Sequence, residues 1–527
     1  MIREGGHLAD EKGHILWVDD EIDLLKPHVL FLEEKGYRVT TVTNAEDAIE
    51  LTSRQEYDLL LLDEMLNGMD GLTALNEIQA LRPGLPVIMV TKNEEEQLME
   101  EAIGARIVDY LTKPVNPSQI LLVCKKVLER KKIAGERISR DYSSEFSQIA
   151  TRIMGPLNWA DWIEIHLKLC EYDLELDQHP DLGLKQTLYD QKRDCNTEFG
   201  RFIEKNYSQW LFSDKRPKLS VDVFKDFVKP HIDRGCRTIL VVIDNLRMDQ
   251  WLVVEPLLRD YFRITRDYYY SILPTATPYA RNAIFSGMFP SDIEKQIPDL
   301  WQNSDENDDL SCNRFESQLM ERQLLKLKMD LKPAPKYVKI LDIQEARSVA
   351  KRIQEYADTP FSSIVLNFVD MLAHTRSSSE LIKEMIPNEA AFRSMTRSWF
   401  EHSPIYQALR QLSELGNTVV ITSDHGSIRG MRGAKVIGDR ETSTSLRYKF
   451  GRNIKADPKH ALIIKDPKSF RLPARGINSN YLIAKEDFYF VYPTNYHYYL
   501  NYYADSFQHG GISLEEMILP LITLESK

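Results

Sequence analysis

The sequence predicts an α/β protein in three parts: a doubly wound domain, a small helical bundle and a second, larger α/β domain. Three observations predict it. From His14 to about Lys132 short apolar runs alternate with amphipathic helical stretches, the pattern of a sheet covered on both faces. From Lys132 to Phe212 charged, helical-period segments follow one another with no strand-like run between them. From Ser213 to Lys527 strands and helices mix again. The expected domain boundaries are 14–132, 133–212 and 213–527.

In the first part the strand candidates are Ile15–Val18, Arg38–Val42, Leu59–Leu62, Val87–Val90 and Ile107–Leu111. Helical periodicity fits Ile22–Lys35, Ala45–Arg54, Leu72–Leu81, Glu94–Ile103 and Pro117–Lys132. Five strands and five helices in this order make a flavodoxin-like sheet, with functional side chains expected at the carboxyl ends of the strands. The helical part carries Trp159, Trp162, Tyr172, Phe199, Phe202 and Trp210, with a turn expected at Pro180 and Gly183. In the last part the strand candidates are Thr238–Ile243, Ile364–Phe368, Thr418–Thr422, Ala461–Ile464, Phe488–Val491 and Ile518–Leu521. Gln302–Leu310 reads as an acidic loop. The Tyr-rich stretch Tyr489–Tyr503 is either a stacking surface or a packed aromatic core, and core is the preferred reading.

Composition narrows the function classes. The chain has 527 residues, is 43% hydrophobic and carries a net charge of -12. That charge argues against a non-specific nucleic-acid coat, and with no helix-turn-helix word or basic stripe direct DNA binding is not expected. No apolar run is long enough for a bilayer span, so no membrane insertion is expected. Met1 to Lys12 is polar and charged, with no apolar signal-peptide core. The five cysteines (Cys124, Cys170, Cys195, Cys236, Cys312) are widely spaced and read as reduced thiols of a cytoplasmic protein.

Two sets of residues carry chemistry. In the first part Asp19 and Asp20 follow the first strand, Asp63 ends the third, Thr91 ends the fourth and Lys113-Pro114 follows the fifth. All converge on one edge of the sheet. Carboxylates there can hold Mg²⁺, and one can accept a phosphoryl group. A lysine offsets the added charge, and a small hydroxyl can close on the phosphoryl oxygens. With the run Asp63-Glu64-Met65-Leu66-Asn67-Gly68-Met69-Asp70-Gly71, residues 14–132 resemble a response-regulator receiver domain. The resemblance implies that Asp63 is the phosphoacceptor and that Asp19, Asp20, Asp63 and the Met65 carbonyl hold Mg²⁺. It makes Thr91 the switch hydroxyl, Tyr110 the switch aromatic and Lys113 the conserved cation, before a cis Pro114. Asn67 stands where many receivers have proline, a departure expected to leave the chemistry untouched.

In the last part the donors are Asp244 after an apolar run, Asp370-x-x-x-His374, Asp424-His425-Gly426 and His509-Gly510-Gly511. Pro274-Thr275-Ala276-Thr277-Pro278 adds two hydroxyls. Such a set can supply two metal sites and a nucleophile. Two divalent ions about 4 Å apart clamp the attacking and leaving oxygens of a phosphoryl transfer. Mixed nitrogen and oxygen donors suit Zn²⁺, with Mn²⁺ the alternative. The order of these residues resembles the alkaline phosphatase superfamily, and within it the PglZ domain. That resemblance implies one metal on Asp244, Thr277, Asp424 and His425, and another on Asp370, His374 and His509. It implies Thr277 as nucleophile, since Pro-Tyr-Ala-Arg follows it, with Thr275 the rival. Arg247, Arg281, Asn282, Arg447 and Lys449 are candidate contacts for phosphate oxygens, each being by default a surface or ion-paired residue. No third metal site of the phosphomonoesterase type is visible, so the resemblance leans to a phosphodiesterase acting on oligonucleotides or cyclic nucleotides.

A receiver, a helical connector and a PglZ-type domain in this order resemble the PorX-like response regulators. That resemblance implies a sensor histidine kinase as phosphodonor, a link to the type IX secretion system, contact with a sigma factor and homodimerisation on phosphorylation. The rival reading keeps the zinc-bound output domain as a protein-interaction scaffold for a sigma factor, without essential catalysis.

Overall fold

A computed structural model describes residues 12–92, 107–301, 314–438, 445–474 and 479–527. The expected helix Glu94–Ile103 and the expected loop Gln302–Leu310 lie outside the described residues. The chain divides into two compact units, Met1–Ser143 and Ser144–Lys527.

In the first unit five strands, β1 (His14–Val18), β2 (Arg38–Val42), β3 (Leu59–Asp63), β4 (Val87–Thr91) and β5 (Asp109–Thr112), form one sheet in the order β2-β1-β3-β4-β5. All pairs are parallel. A parallel sheet is buried on both faces, which is why Leu59–Leu62 is an unbroken leucine run rather than an alternating one. Leu59 and Leu61 join the apolar cluster of one face, Leu60 and Leu62 that of the other. Helices α1 (Lys26–Glu34), α2 (Ala45–Arg54) and α3 (Gly71–Leu81) follow the strands. Asn44 caps α2 by accepting from the Asp47 amide at 2.8 Å, and Asp70 caps α3 from the Thr73 amide at 2.9 Å. Helix α4, expected to stop near Lys132, runs from Pro117 to Ile153. The first breaker pair after Pro117 is Gly155-Pro156, so helical period continues through the charged stretch.

In the second unit helices α5 (Trp159–Gln178) and α6 (Lys185–Trp210) flank a turn at Pro180–Leu182, with Gly183 in the left-handed region at φ 66°. Their aromatic faces do not close on each other alone. Phe199 stacks on Tyr270 at 6.2 Å and Trp210 meets the same ring edge-on at 5.5 Å. Tyr270 belongs to the large sheet, so the helical pair shares that sheet's core.

The large sheet takes β6 (Thr238–Ile243), β7 (Phe262–Tyr270), β8 (Lys336–Ile340), β9 (Phe361–Leu366) and β10 (Thr418–Thr422). The remaining strands are β11 (Ile428–Gly430), β12 (Arg432–Ile437), β13 (Tyr448–Arg452), β14 (Lys455–Ala456), β15 (Ala461–Ile464), β16 (Ser479–Ala484), β17 (Phe488–Val491), β18 (Ser506–Gln508) and β19 (Ile518–Ser526). The order β7-β19-β10-β6-β9-β8 puts β6, β9 and β10 in the parallel centre, and every residue of those three strands is buried. Strands β7 and β8 were not legible as strands. They are the sheet's edges and are only partly buried over much of their length, where Arg263, Arg266, Lys336 and Lys339 break the apolar run. The Tyr-rich stretch corrects the packed-core reading. Tyr489 is buried in β17, but Tyr498 and Tyr502 are 63% and 52% exposed on the helix Tyr496–Tyr503.

Candidate metal centres

The receiver-type pocket forms where β1 and β3 end. Asp19, Asp20 and Asp63 place carboxylate oxygens within 4.8 Å of one another. Lys113 Nζ lies 2.9 Å from Asp19 and 2.7 Å from Asp63. Burial pushes the Asp63 carboxyl above its ordinary value, and the Lys113 hydrogen bond only partly offsets this. Burial by itself lowers the Lys113 ammonium, but its bonds to Asp19 and Asp63 outweigh that and hold it above the usual lysine range. The Lys113–Pro114 peptide is cis. Thr91 Oγ1 donates to Glu64, and the Tyr110 ring is 41% exposed. Met65 is also exposed, its amide 3.5 Å from Asp63 Oδ1. One expectation is corrected here. Asn67 does touch the chemistry, because its Nδ2 donates to Asp20 Oδ2 at 2.8 Å and orients a metal-type carboxylate.

Replacing Asp63 with asparagine keeps the volume but removes the carboxylate that lies beside Lys113 at the end of β3. The variant is expected to incorporate no phosphoryl group from acetyl phosphate with Mg²⁺, and the wild-type chain to shift on a phosphate-affinity gel.

In the second unit the same logic places donors after parallel strands. Asp244 follows β6 and Asp424-His425 follow β10, and these two strands are hydrogen-bonded neighbours. Asp244, Asp424 and His425 are fully buried and bring ligand atoms within 4.8 Å of one another. Asp370 and His374 sit one turn apart on the helix Phe368–Ser378 after β9, and His509 follows β18. These three form a second cluster within 4.8 Å. His509 Nε2 lies 3.4 Å from His374 Nε2 and 3.7 Å from Asp370 Oδ1. The rings of His425 and His509 stack at 4.2 Å, so the two clusters adjoin.

The electrostatics fit cations. Burial and the neighbouring Asp244 push the Asp424 carboxyl well above its ordinary range. Burial also works against Asp244, but Arg281 and His425 outweigh it and hold that carboxyl low. Asp244 Oδ1 and Asp424 Oδ2 are buried and accept no hydrogen bond. Oxygens left without donors in such a place call for positive charge. Burial, with His425 and His374 alongside, depresses the His509 imidazole well below its usual value and leaves it neutral, the form that ligates. If zinc binds here, adding it to chelated protein is expected to stabilise the fold by about 2.7 kcal/mol at a free concentration of 100 Kd. Calorimetric melting is expected to read this as a higher Tm for the second unit, and the shift to disappear in Asp424→Asn combined with His425→Ala.

Thr277 opens the helix Thr277–Ser286, and its Oγ1 lies 2.9 Å from His425 Nε2. Thr275 is engaged elsewhere. Its hydroxyl donates to the Gly511 carbonyl at 2.8 Å and accepts from the Gly510 amide at 3.1 Å, pinning the turn that carries His509.

The expected phosphate contacts do not stand free around this site. Arg281 is buried, with Nη1 2.7 Å from Asp244 and Nε 2.7 Å from Glu316. Arg447 is held by Glu516 at 2.6 Å and lies against Gly511. Arg247 is paired with Asp249 at 2.6 Å and also with Glu389. Lys449 is buried with its ammonium 5.1 Å over the Tyr492 ring. Asn282 donates from Nδ2 to the Pro278 carbonyl at 2.9 Å. For the first three the ion-paired alternative is the one the geometry favours, because a buried guanidinium needs a carboxylate partner. Two contributors escaped sequence reasoning, Glu316 and Asn245. Glu316 anchors Arg281, and a lone glutamate in a helix carries no signal of such a partner. Glu516, in the Glu515-Glu516 pair after His509, anchors Arg447. Asn245 donates to Asp370 Oδ1 at 3.1 Å from a left-handed backbone at φ 64°, so the residue after one ligand orients a ligand of the other cluster. Asparagine's tolerance of that conformation is the one signal that could have found it.

Fold and sites together define a response regulator whose receiver is joined to an alkaline-phosphatase-like output domain. The family model described as BREX system PglZ alkaline phosphatase-like domain matches residues 223–524, the response regulator receiver domain matches 15–125, and the PorX response regulator linker domain matches 132–211. The chain belongs to the PglZ family, and the three matches in this order are those of a PorX-like response regulator. Among curated proteins, the alginate biosynthesis transcriptional regulatory protein AlgB of Pseudomonas aeruginosa is 37% identical over 121 residues, 23% of this chain and 27% of its own. The transcriptional regulatory protein GlrR of Escherichia coli is 29% identical over 147 residues, 28% of this chain and 33% of its own. The chain thus spans about a third or less of the length of the curated relatives it matches. Solved structures include a CheY-like receiver domain protein from Methanospirillum hungatei, 32% identical, covering 22% of this chain and 94% of that one with a TM-score of 0.22. The receiver domain of NtrX from Brucella abortus is 32% identical, covering 22% and 98% with a TM-score of 0.21.

Proposed function

We propose that this chain is a phosphorylation-controlled, two-zinc phosphodiesterase. A sensor histidine kinase is the phosphodonor to Asp63, with Mg²⁺ on Asp19, Asp20, Asp63 and the Met65 carbonyl. The carrying observation is the 2.9 Å approach of the Thr277 hydroxyl to His425 beside two adjoining clusters of metal-type donors. Asp244, Thr277, Asp424 and His425 would hold one zinc, and Asp370, His374 and His509 the other. Bound there, the pair would lower the pKa of the Thr277 hydroxyl and neutralise charge on the reacting phosphate. Thr277 Oγ1 attacks phosphorus in line, an alcohol leaves, and water then hydrolyses the phosphothreonine. The positive end of the helix that Thr277 opens favours the attacking alkoxide and the phosphate. Arg281 keeps Asp244 ionised and oriented, and Asn245 does the same for Asp370.

Oligonucleotides or cyclic nucleotides are the substrate class this reading favours. Tyr498 and Tyr502 stack in parallel at 6.0 Å on the exposed helix that leads, through β18, to His509, and such rings suit nucleobases. As a PorX-like regulator, the protein is assigned to control of the type IX secretion system, with phosphorylation driving homodimerisation. The test is a hydrolysis panel of monoesters, diesters and linear and cyclic oligonucleotides, with zinc or chelator, before and after phosphorylation of Asp63. Metal-dependent turnover of diesters that changes with phosphorylation is the expected result. No turnover of any substrate by zinc-loaded, phosphorylated protein would leave the sigma-factor scaffold as the better reading.

A further inference from the structure

A cleft of about 380 Å³ opens between helices α5 and α6 and the α/β body of the second unit, and none of the clustered metal donors lines it. Its lining is strongly charged, with six basic and seven acidic side chains. The basic ones are all committed. Asp173 takes Lys185 at 2.7 Å, Lys192 at 2.5 Å and Arg393 at 3.0 Å. Arg393 also reaches Asp177 and Asp249, and Asp249 shares Arg247 with Glu389. Arg429 is held by Asp505, and Arg193 pairs at the surface with Asp190 at 3.2 Å. Of the acidic groups, Glu486 and Asp487 are covered by Arg432.

One carboxylate is left over. Glu515 accepts a single side-chain hydrogen bond, 3.0 Å from the Asn196 amide, and forms no ion pair among the described residues. Burial raises this carboxyl above its ordinary range and outweighs Lys192 and Arg247, which act on it only from beyond ion-pair distance, so a cation in direct contact would relieve it. Beside the charges, Leu188, Ile428 and the Tyr189 ring present hydrocarbon walls. Apolar walls with one carboxyl that has no cation in direct contact describe the complement of an alkylammonium ion.

We propose that this cleft binds a small organic amine whose ammonium group pairs with Glu515 and whose hydrocarbon stem lies along Leu188 and Ile428. The chemistry is shared by a free diamine or polyamine and by a lysine side chain. The cleft backs onto the metal-ligand loop. A Cβ at Gly426 would lie 2.0 Å from the Glu515 carbonyl oxygen and 3.3 Å from Arg247 Cγ, and Arg247 donates to the Ser427 carbonyl at 3.4 Å. An occupant pressing on Glu515 or Arg247 thus acts on the backbone that carries Asp424 and His425.

Calorimetric titration of the full chain tests this with 1,4-diaminobutane, 1,5-diaminopentane, spermidine and Nα-acetyl-lysine amide, and with 1,5-pentanediol as the uncharged analogue. At least one amine is expected to bind saturably with 1:1 stoichiometry, and the diol at least tenfold more weakly. Strongest binding by the lysine amide identifies a side chain of another protein as the occupant, and strongest binding by a diamine or spermidine a free amine. Glu515→Gln, which keeps the bond to Asn196, is expected to weaken binding tenfold or more with an unchanged melting temperature. Thr277→Ala is expected to bind the amine as wild type does, so the result does not depend on catalysis. No saturable binding across the amines, equal binding of the diol, or Glu515→Gln binding within twofold of wild type would each overturn the proposal.

Discussion

Thr277→Ala is expected to lower kcat for a diester by about 10³-fold or more, a barrier increase of about 4 kcal/mol. Three of the four donors proposed for the first metal, Asp244, Asp424 and His425, stay in place, so metal content is expected to remain near wild type. KM changes little, because the lost group acts on the reacting phosphorus rather than on substrate binding. Thr277→Ser keeps a hydroxyl and retains a measurable fraction of the rate. Thr275→Ala separates the two threonines. That hydroxyl ties Gly510 and Gly511, so its loss loosens the His509 turn, lowering the melting temperature and the affinity for the second metal. Elemental analysis with steady-state kinetics on the three variants decides the matter. Equal kcat in Thr277→Ala and wild type would refute the nucleophile.

Gly426→Ala destabilises the second unit by about 3 kcal/mol or more. The reason is close approach and not backbone freedom, since the added methyl would meet backbone, the Glu515 carbonyl oxygen at 2.0 Å. The Gly426 amide also donates to the Glu516 carbonyl at 3.2 Å, so neither segment can withdraw without breaking a buried bond. Because His425 precedes it, metal affinity falls with stability. Gly84→Ala is the control: a Cβ there meets nothing within 4 Å, and its effect stays within about 0.5 kcal/mol. Urea melting monitored by circular dichroism reads both, and similar midpoints for the two variants would show that the loop can move aside.

The candidate sites were far more legible than their surroundings. Asp63, Asp244 and Asp424 each end or follow a run of buried apolar residues, and such runs fold as central parallel strands whether or not their partners are known. Donors at their carboxyl ends are then brought together by the sheet itself. His374 was legible for a different reason, its one-turn spacing from Asp370. The edge strands β7 and β8 were not legible, because half-exposed strands carry charges that mask their period.

By itself the sequence determined which residue types stand at strand ends, and hence where metals and a phosphoryl group can be held. Only the tertiary structure decided what the remaining charged groups do. Arg281 and Arg447 could contact phosphate or pair internally as far as the sequence goes, and each finds a buried carboxylate, Glu316 and Glu516, lying 35 and 69 residues away. Tyr498 and Tyr502 read as core yet face solvent, and α5 and α6 read as a separate bundle yet pack on Tyr270. The physical difference is range. Burial of an apolar run is set by its own composition, whereas the partner of a charge or the cover of an aromatic face comes from residues far along the chain, which only the closed fold brings near.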